Sequence, residues 1–149
     1  MFLLEQDMVI GVARAHCQNA RPNEVSKKVH RMKINITIAG TALSATLADN
    51  ETARGFAALL PLHLSMNDLF GREKYAHLPK PLSEEGPKKK RYEVGEIAYW
   101  SPSRDIAVYY HQDGESIPSP GIIPIARIDA GAEAFNVPGS VKVTIEIAR

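Results

Sequence analysis

Four consecutive residues, Arg72-Glu73-Lys74-Tyr75, place a guanidinium, a carboxylate, an ammonium and a phenol directly after Gly71. Such a set can build a ligand-binding rim, because arginine's planar fork grips a carboxylate, glutamate accepts hydrogen bonds, and tyrosine offers both a face and a hydroxyl. The competing reading is local: Arg72 pairs with Glu73, and Tyr75 packs on the domain. A second concentration of chemistry is aromatic, Tyr99-Trp100 and Tyr109-Tyr110. Side chains on a strand alternate between its faces, so about half of these aromatics belong to a core and half to a groove.

Other constellations point away from familiar reactions. His63, His77 and His111 suggest a metal triad, but no HxH or HExxH spacing is present, and His63 stands between two leucines on what reads as a strand. No metal or cofactor is expected. A nucleophile elbow GxSxG, a GxGxxG loop and a Walker loop are all missing, which removes the motif-based arguments for serine hydrolysis and for phosphate cradling. The run Lys88-Lys89-Lys90-Arg91 could meet a phosphate or an acidic partner. Without interleaved aromatics it reads more simply as a solvated loop tip.

The elements that must position these groups are mostly strands. Ile34, Ile36 and Ile38 alternate with Lys33, Asn35 and Thr37, the period of a half-buried strand. Ala39-Gly40-Thr41 turns the chain into a second strand carrying Leu43, Ala45 and Leu47. Asn50 can cap a helix whose apolar positions are Phe56, Leu59 and Leu60, and Pro61 must end it. Leu62, Leu64 and Met66 then alternate with His63 and Ser65; after Gly71, EKYAHL offers another strand. Pro79, Pro81, Gly86 and Pro87 mark a surface loop from 79 to 91. The apolar runs Ile97–Trp100 and Ile106–Tyr110 flank SPSRD as a hairpin, followed by the polar loop HQDGESIPSPG. Pro124 places an edge or a bulge in the strand from Ile122 to Ile128, and residues 130–135 have room for one or two helical turns. Val141, Val143, Ile145 and Ile147 alternate with Lys142, Thr144 and Glu146 as the last strand. About eight short antiparallel strands with one firm and one short helix predict a mainly β fold, a closed or nearly closed barrel with the helices capping it.

A chain of 149 residues suits one such domain, and 44% hydrophobic with 23% charged residues is ordinary for a globular protein. A net charge of +1 gives no reason to expect nucleic acid or a membrane surface as partner. Cys17 is the single cysteine, so no disulfide can form within the chain, which is compatible with a cytoplasmic location. Residues 1–31 differ in texture, with no alternation and the polar stretch CQNARPNEVSKKVHR. The simplest reading is an extension, disordered or not native, with Met32 the natural first residue of a domain spanning 32–149; the rival is a helix over 4–16 that docks on it. Glu5 and Asp7 interrupt the opening apolar run, which argues against a signal peptide.

From Met32 onwards the sequence resembles the bacterial cyclophilin-like domains, small β-barrels related in fold to the cyclophilin prolyl isomerases. The stretches that carry the resemblance are KINITIAG, TARGFAALLPLHLSMNDLFGREKYAHLP, GEIAYWSPSRDIAVYYHQ and IPIARIDAGAEAF. It implies the barrel, and it fails where isomerase chemistry sits. Isomerases carry a Phe-His-Arg motif after the first helix and then a Gln-Gly-Gly-Asp strand; LHLSMNDLFGREKYAHLP has neither. The tryptophan and histidine they place before the last long strands are missing from DGESIPSPGIIPIARI. Twisting an X-Pro bond crosses a barrier of about 18–20 kcal/mol, and a groove without a placed donor binds proline with little preference for the twisted state. The resemblance therefore implies a non-isomerase module that binds a peptide segment or small ligand between the 66–77 loop and the 97–111 hairpin. Its expected ligand-binding residues are Met66, Arg72, Glu73, Tyr75, Tyr99, Tyr109 and His111, with no catalytic residue. The alternatives are residual isomerase activity with Arg72 or Arg127 as substitute, and a protein-interaction module. A monomer or weak homodimer is expected.

Overall fold

The computed structural model of the protein describes residues 32–149. The expectations for residues 1–31, whether extension or docking helix, and Cys17 lie outside the described residues. Eight strands close into an antiparallel barrel: β1 (Lys33–Ile38), β2 (Thr41–Leu47), β3 (Leu62–Leu69), β4 (Glu73–His77), β5 (Glu96–Trp100), β6 (Asp105–Tyr109), β7 (Ile123–Ile128) and β8 (Val141–Ile147). Around the barrel the order is β1-β2-β7-β5-β6-β4-β3-β8. Closure leaves no free sheet edge, so Pro124 cannot mark one; it sits where the β5–β7 register shifts between Ile97 and Ala98, the bulge alternative. Among the described residues no helix is long and apolar enough to cross a membrane.

The period-two pattern becomes an inside and an outside. Ile34, Ile36 and Ile38 are fully buried and meet Leu43, Ala45, Val143 and Ile145 in the barrel interior. Both central residues of the first hairpin turn, Ala39 (φ 49°) and Gly40 (φ 81°), take the positive φ that a tight two-residue hairpin favours. On β8 the pattern holds only in the middle: Val143 and Ile145 point in, whereas Ile147 is exposed near the end of the strand.

The helix α1 (Glu51–Ala57) begins as its cap predicts. Asn50 Oδ1 accepts from the Ala53 amide at 2.8 Å, and Asn50 Nδ2 donates to the Pro124 carbonyl at 2.9 Å, fastening α1 to β7. Its end and its buried face differ from the sequence expectation. Helical geometry stops at Ala57, and Leu59 and Leu60 follow in turns closed onto the Phe56 and Ala57 carbonyls. The buried face is therefore Thr52, Ala53 and Phe56, with Leu59 and Leu60 only half-buried. A 3-10 turn, Ala132–Phe135, is the second short helical element, and Phe135 is fully buried.

The loop from 79 to 91 is more than a surface excursion. Leu82 is buried and its amide donates to the Tyr99 hydroxyl at 3.0 Å. Gly86 packs so closely on α1 and β7 that a Cβ there would stand 2.4 Å from Ile123 Cγ2 and 2.9 Å from Thr52 Oγ1. Lys89 exchanges backbone hydrogen bonds with Ile122 at 2.8 and 2.9 Å. Together with the segment after β6 it builds a second, smaller core of Tyr92, Ala98, Ala107, Tyr109, Ile117 and Ile122 on the outer face of the barrel. Both faces of β5 and β6 are thereby covered, the physical reason that IAYW and IAVYY read as unbroken apolar runs.

Candidate functional site

Three neighbouring strands carry the site, and their register explains its shape. On the outer face of β4-β6-β5, His77, Asp105 and Trp100 lie opposite one another in one row, Tyr75, Ala107 and Ala98 in the next, and Glu73 opposes Tyr109 in a third. The middle row has alanines where its neighbours have large side chains. A hollow results, with Ala107 as its floor. Phe70 from the β3–β4 turn and Ile117 and Pro118 from the segment after β6 complete the walls of a groove of about 370 Å³, inside the size range of small-ligand pockets.

One end of the groove is held by a charged, nearly buried cluster. Arg72 Nε donates to Glu73 Oε2 at 2.8 Å, and Nη1 lies 3.4 Å from Asp113 Oδ2. The guanidinium is flanked by the rings of Phe70, at 5.1 Å, and Tyr92, at 5.5 Å. Tyr92 stacks on Tyr109 with centroids 4.3 Å apart, and its hydroxyl is anchored by the His111 carbonyl at 2.8 Å and the Asp113 amide at 2.9 Å. Burial pushes the Glu73 carboxyl above its ordinary value, with the Arg72 hydrogen bond pulling the other way. Burial, reinforced by the charge of Glu73, also raises the Tyr109 phenol, which stays protonated. Arg72 is thus not an open fork for a ligand carboxylate, because its Nε and Nη1 already face carboxylates of this chain.

The other end holds Asp105. Ser103 Oγ donates to Asp105 Oδ2 at 2.7 Å. His77 Nδ1 stands between two acceptors, the Ser103 carbonyl at 3.2 Å and Asp105 Oδ1, so it is the nitrogen that carries the proton. One proton serves both acceptors poorly. Asp105 Oδ1 is buried, and the pairing with His77 is the contact it makes there.

Of the residues expected from sequence to bind a ligand, Arg72, Glu73, Tyr75 and Tyr109 come together on this groove. Met66 and Tyr99 point into the barrel core, where both are almost fully buried. His111 is exposed beyond the end of β6 and contributes its backbone, the amide to the Arg72 carbonyl and the carbonyl to Tyr92. Strand alternation divides the hairpin aromatics: Tyr99 and Tyr110 go inward, Trp100 and Tyr109 outward. Lys74 leaves the cluster of its neighbours entirely. It faces inward with no exposed surface, and Nζ donates to Asp68 Oδ1 at 3.0 Å, the Val137 carbonyl at 2.5 Å and the Gly139 carbonyl at 2.8 Å. Tyr110 also hydrogen-bonds Asp68, and burial together with that carboxylate pushes its phenol up to about 12.

Phe70, Trp100, Asp105, Ala107, Ile117 and Pro118 line the groove without having been singled out as ligand-binding residues. The alternations Glu-Tyr-His in β4 and Asp-Ala-Tyr in β6 carried a signal for Asp105 and Ala107, but only the pairing of those strands shows that they coincide. Two of the four residues of the basic run form local pairs, Lys88 with Glu84 at 3.4 Å and Lys89 with Glu96 at 2.6 Å. Arg127 pairs with Glu93 and does not line the groove.

A closed eight-stranded antiparallel barrel with a short helix fastened to one strand and a groove on its outer wall defines the class of domain. The chain belongs to the cyclophilin-like family, whose family model matches residues 36–146. Among solved structures, the solution structure of a hypothetical protein from Archaeoglobus fulgidus superposes with a TM-score of 0.63 at 24% identity, covering 80% of this chain and 96% of that one. At that identity the likeness speaks to the fold. A comparison with curated proteins finds no match.

Proposed function

We propose that this cyclophilin-like domain binds a short peptide segment or small molecule in the outer groove and does not catalyse prolyl isomerisation. The observation that carries the reading is the Ala107 floor between two rows of large side chains, an apolar hollow with polar groups at both ends. Arg72, whose Nε and Nη1 face Glu73 and Asp113, is poorly disposed to follow a prolyl amide as it twists. The single cysteine, which leaves no disulfide within the chain, supports a cytoplasmic location, and a monomer or weak homodimer is proposed alongside it.

Chemical-shift mapping with proline peptides and a metabolite set tests this reading. Shifts should cluster at residues 70–77, 100–109 and 117–118, and perturbations scattered around the barrel would refute it. Ala107→Leu fills the hollow and should abolish those shifts while leaving the barrel folded. Arg72 is the one of the two substitute arginines that lines the groove, so it is the residue through which isomerase activity would act. A protease-coupled peptide assay at the uncatalysed rate is the expected outcome; a faster rate lost in Arg72→Ala would establish the isomerase alternative.

A further inference from the structure

We infer that the groove selects a ligand with a positively charged end, an ammonium or guanidinium seated at Asp105, and an apolar body lying over Ala107 towards Phe70. The inference rests on the binding role proposed for this groove and adds the chemistry of its occupant. The charges on the groove decide the sign. Arg72 supplies the lining's arginine charge, and Glu73 and Asp113 already stand on it at 2.8 and 3.4 Å. An anionic ligand approaching Arg72 would meet those two carboxylates, a repulsion that a largely apolar site screens poorly.

Asp105 is the opposite case. Its side chain is 13% exposed, and among the described residues no arginine or lysine is paired with it. Its Oδ1 is buried, and the partner beside it is the imidazole of His77, whose Nδ1 also faces the Ser103 carbonyl at 3.2 Å. A largely buried carboxylate with only an imidazole beside it gains from a charged donor, because hydrogen bonds to an ionised acceptor are the strong ones. The His77 side chain is 69% exposed, so a ligand cation reaching Asp105 would displace an imidazole that already borders solvent. Trp100 is directly across from Asp105 on the neighbouring strand, and Tyr75 is in T-shaped contact with His77, centroids 6.4 Å apart, so both line the same end of the groove. The carboxylate therefore sets the sign of the charge, and the neighbouring aromatics supply apolar walls beside it.

Three probes sharing one apolar body separate the charge from the groove: phenylbutylamine, phenylbutanol and phenylbutyrate, titrated into the full chain with chemical shifts as readout. The amine should bind at residues 75–77, 100, 105 and 107, about tenfold or more tighter than the alcohol, with the butyrate weakest. Asp105→Asn should remove the preference, bringing the amine and the alcohol to similar affinities. Equal affinity for amine and alcohol, preference for the butyrate, or a preference that survives Asp105→Asn would overturn the inference while leaving the groove a binding site. Binding of none of the three would overturn the inference, while the mapping with proline peptides and metabolites decides on the groove itself. The comparison of probes on the unmodified chain stands even if Asp105→Asn does not fold.

Discussion

Phe70 stands at a left-handed turn position that favours glycine or asparagine, and replacing it separates binding from stability. It is 73% exposed, has φ of 58° beside Gly71 at 62°, and occupies the turn that the Arg72 amide closes onto the Leu69 carbonyl at 3.2 Å. A side chain with a Cβ held in that left-handed region costs roughly 1 kcal/mol, of which asparagine relieves a large part. Against this, Phe70→Asn loses the ring over the Arg72 guanidinium at 5.1 Å, about 0.5 kcal/mol for an exposed cation–π contact. The balance lies between zero and about 0.5 kcal/mol in favour of the variant, a melting temperature unchanged or raised by roughly 2 °C. Binding should move the other way. A ligand covering half of the exposed ring removes on the order of 75 Å² of apolar surface from water, worth about 2 kcal/mol and more than tenfold in Kd. Urea melts and titration with phenylbutylamine, run on the same preparation, read both quantities. A loss of more than about 1 kcal/mol in stability would make Phe70 a structural residue and refute the reasoning.

Other substitutions test the frame that holds the groove. Lys74→Met leaves the Val137 and Gly139 carbonyls without their donor and strips Asp68 of its cation, so urea denaturation should show a loss of roughly 3–5 kcal/mol; a loss below 1 kcal/mol would mean the clamp is dispensable. Gly86→Ala drives a methyl into Ile123 and Thr52 and should cost about 1–3 kcal/mol, measured as a lower denaturation midpoint at unchanged slope. Asp129 is held below the ordinary aspartate value of 3.8 by hydrogen bonds from Lys33 and Thr46. Its contribution is therefore present above that pH and is lost as pH falls through the lower folded-state value. Melting temperature should drop in that acid range for the native chain and drop less steeply for Asp129→Asn, with parallel curves counting against the pair.

The pattern of residues by itself determined much of this fold, because local rules govern the features concerned. Strand alternation set the inward isoleucines of β1, Asn50 capped α1, and Pro124 called for an edge or a bulge, of which the bulge is found. The same alternation required the hairpin aromatics to divide between faces, although it could not say which members went inward. The count of short strands pointed to a closed or nearly closed barrel, and the resemblance of stretches such as KINITIAG to the cyclophilin-like domains implied the same fold. The helix end was less legible, since the chain leaves α-helical geometry after Ala57 through tight turns well before Pro61.

Only the tertiary structure decided which of the chemically capable side chains meet. Arg72, Glu73, Lys74 and Tyr75 are adjacent in sequence, yet the pleat sends Lys74 into the barrel and Glu73 and Tyr75 to its outer wall. Met66 and Tyr99 were drawn inward by the same alternation, which sequence shows as a period and not as a direction. Asp105 acquired His77 and Trp100 as neighbours through strand pairings between β4, β6 and β5. No local rule encodes those pairings, because they are set by which strands close the barrel and in what register. The groove itself depends on a small residue, Ala107, lying between large ones on neighbouring strands, and an alanine becomes a binding site only when its neighbours in space are known.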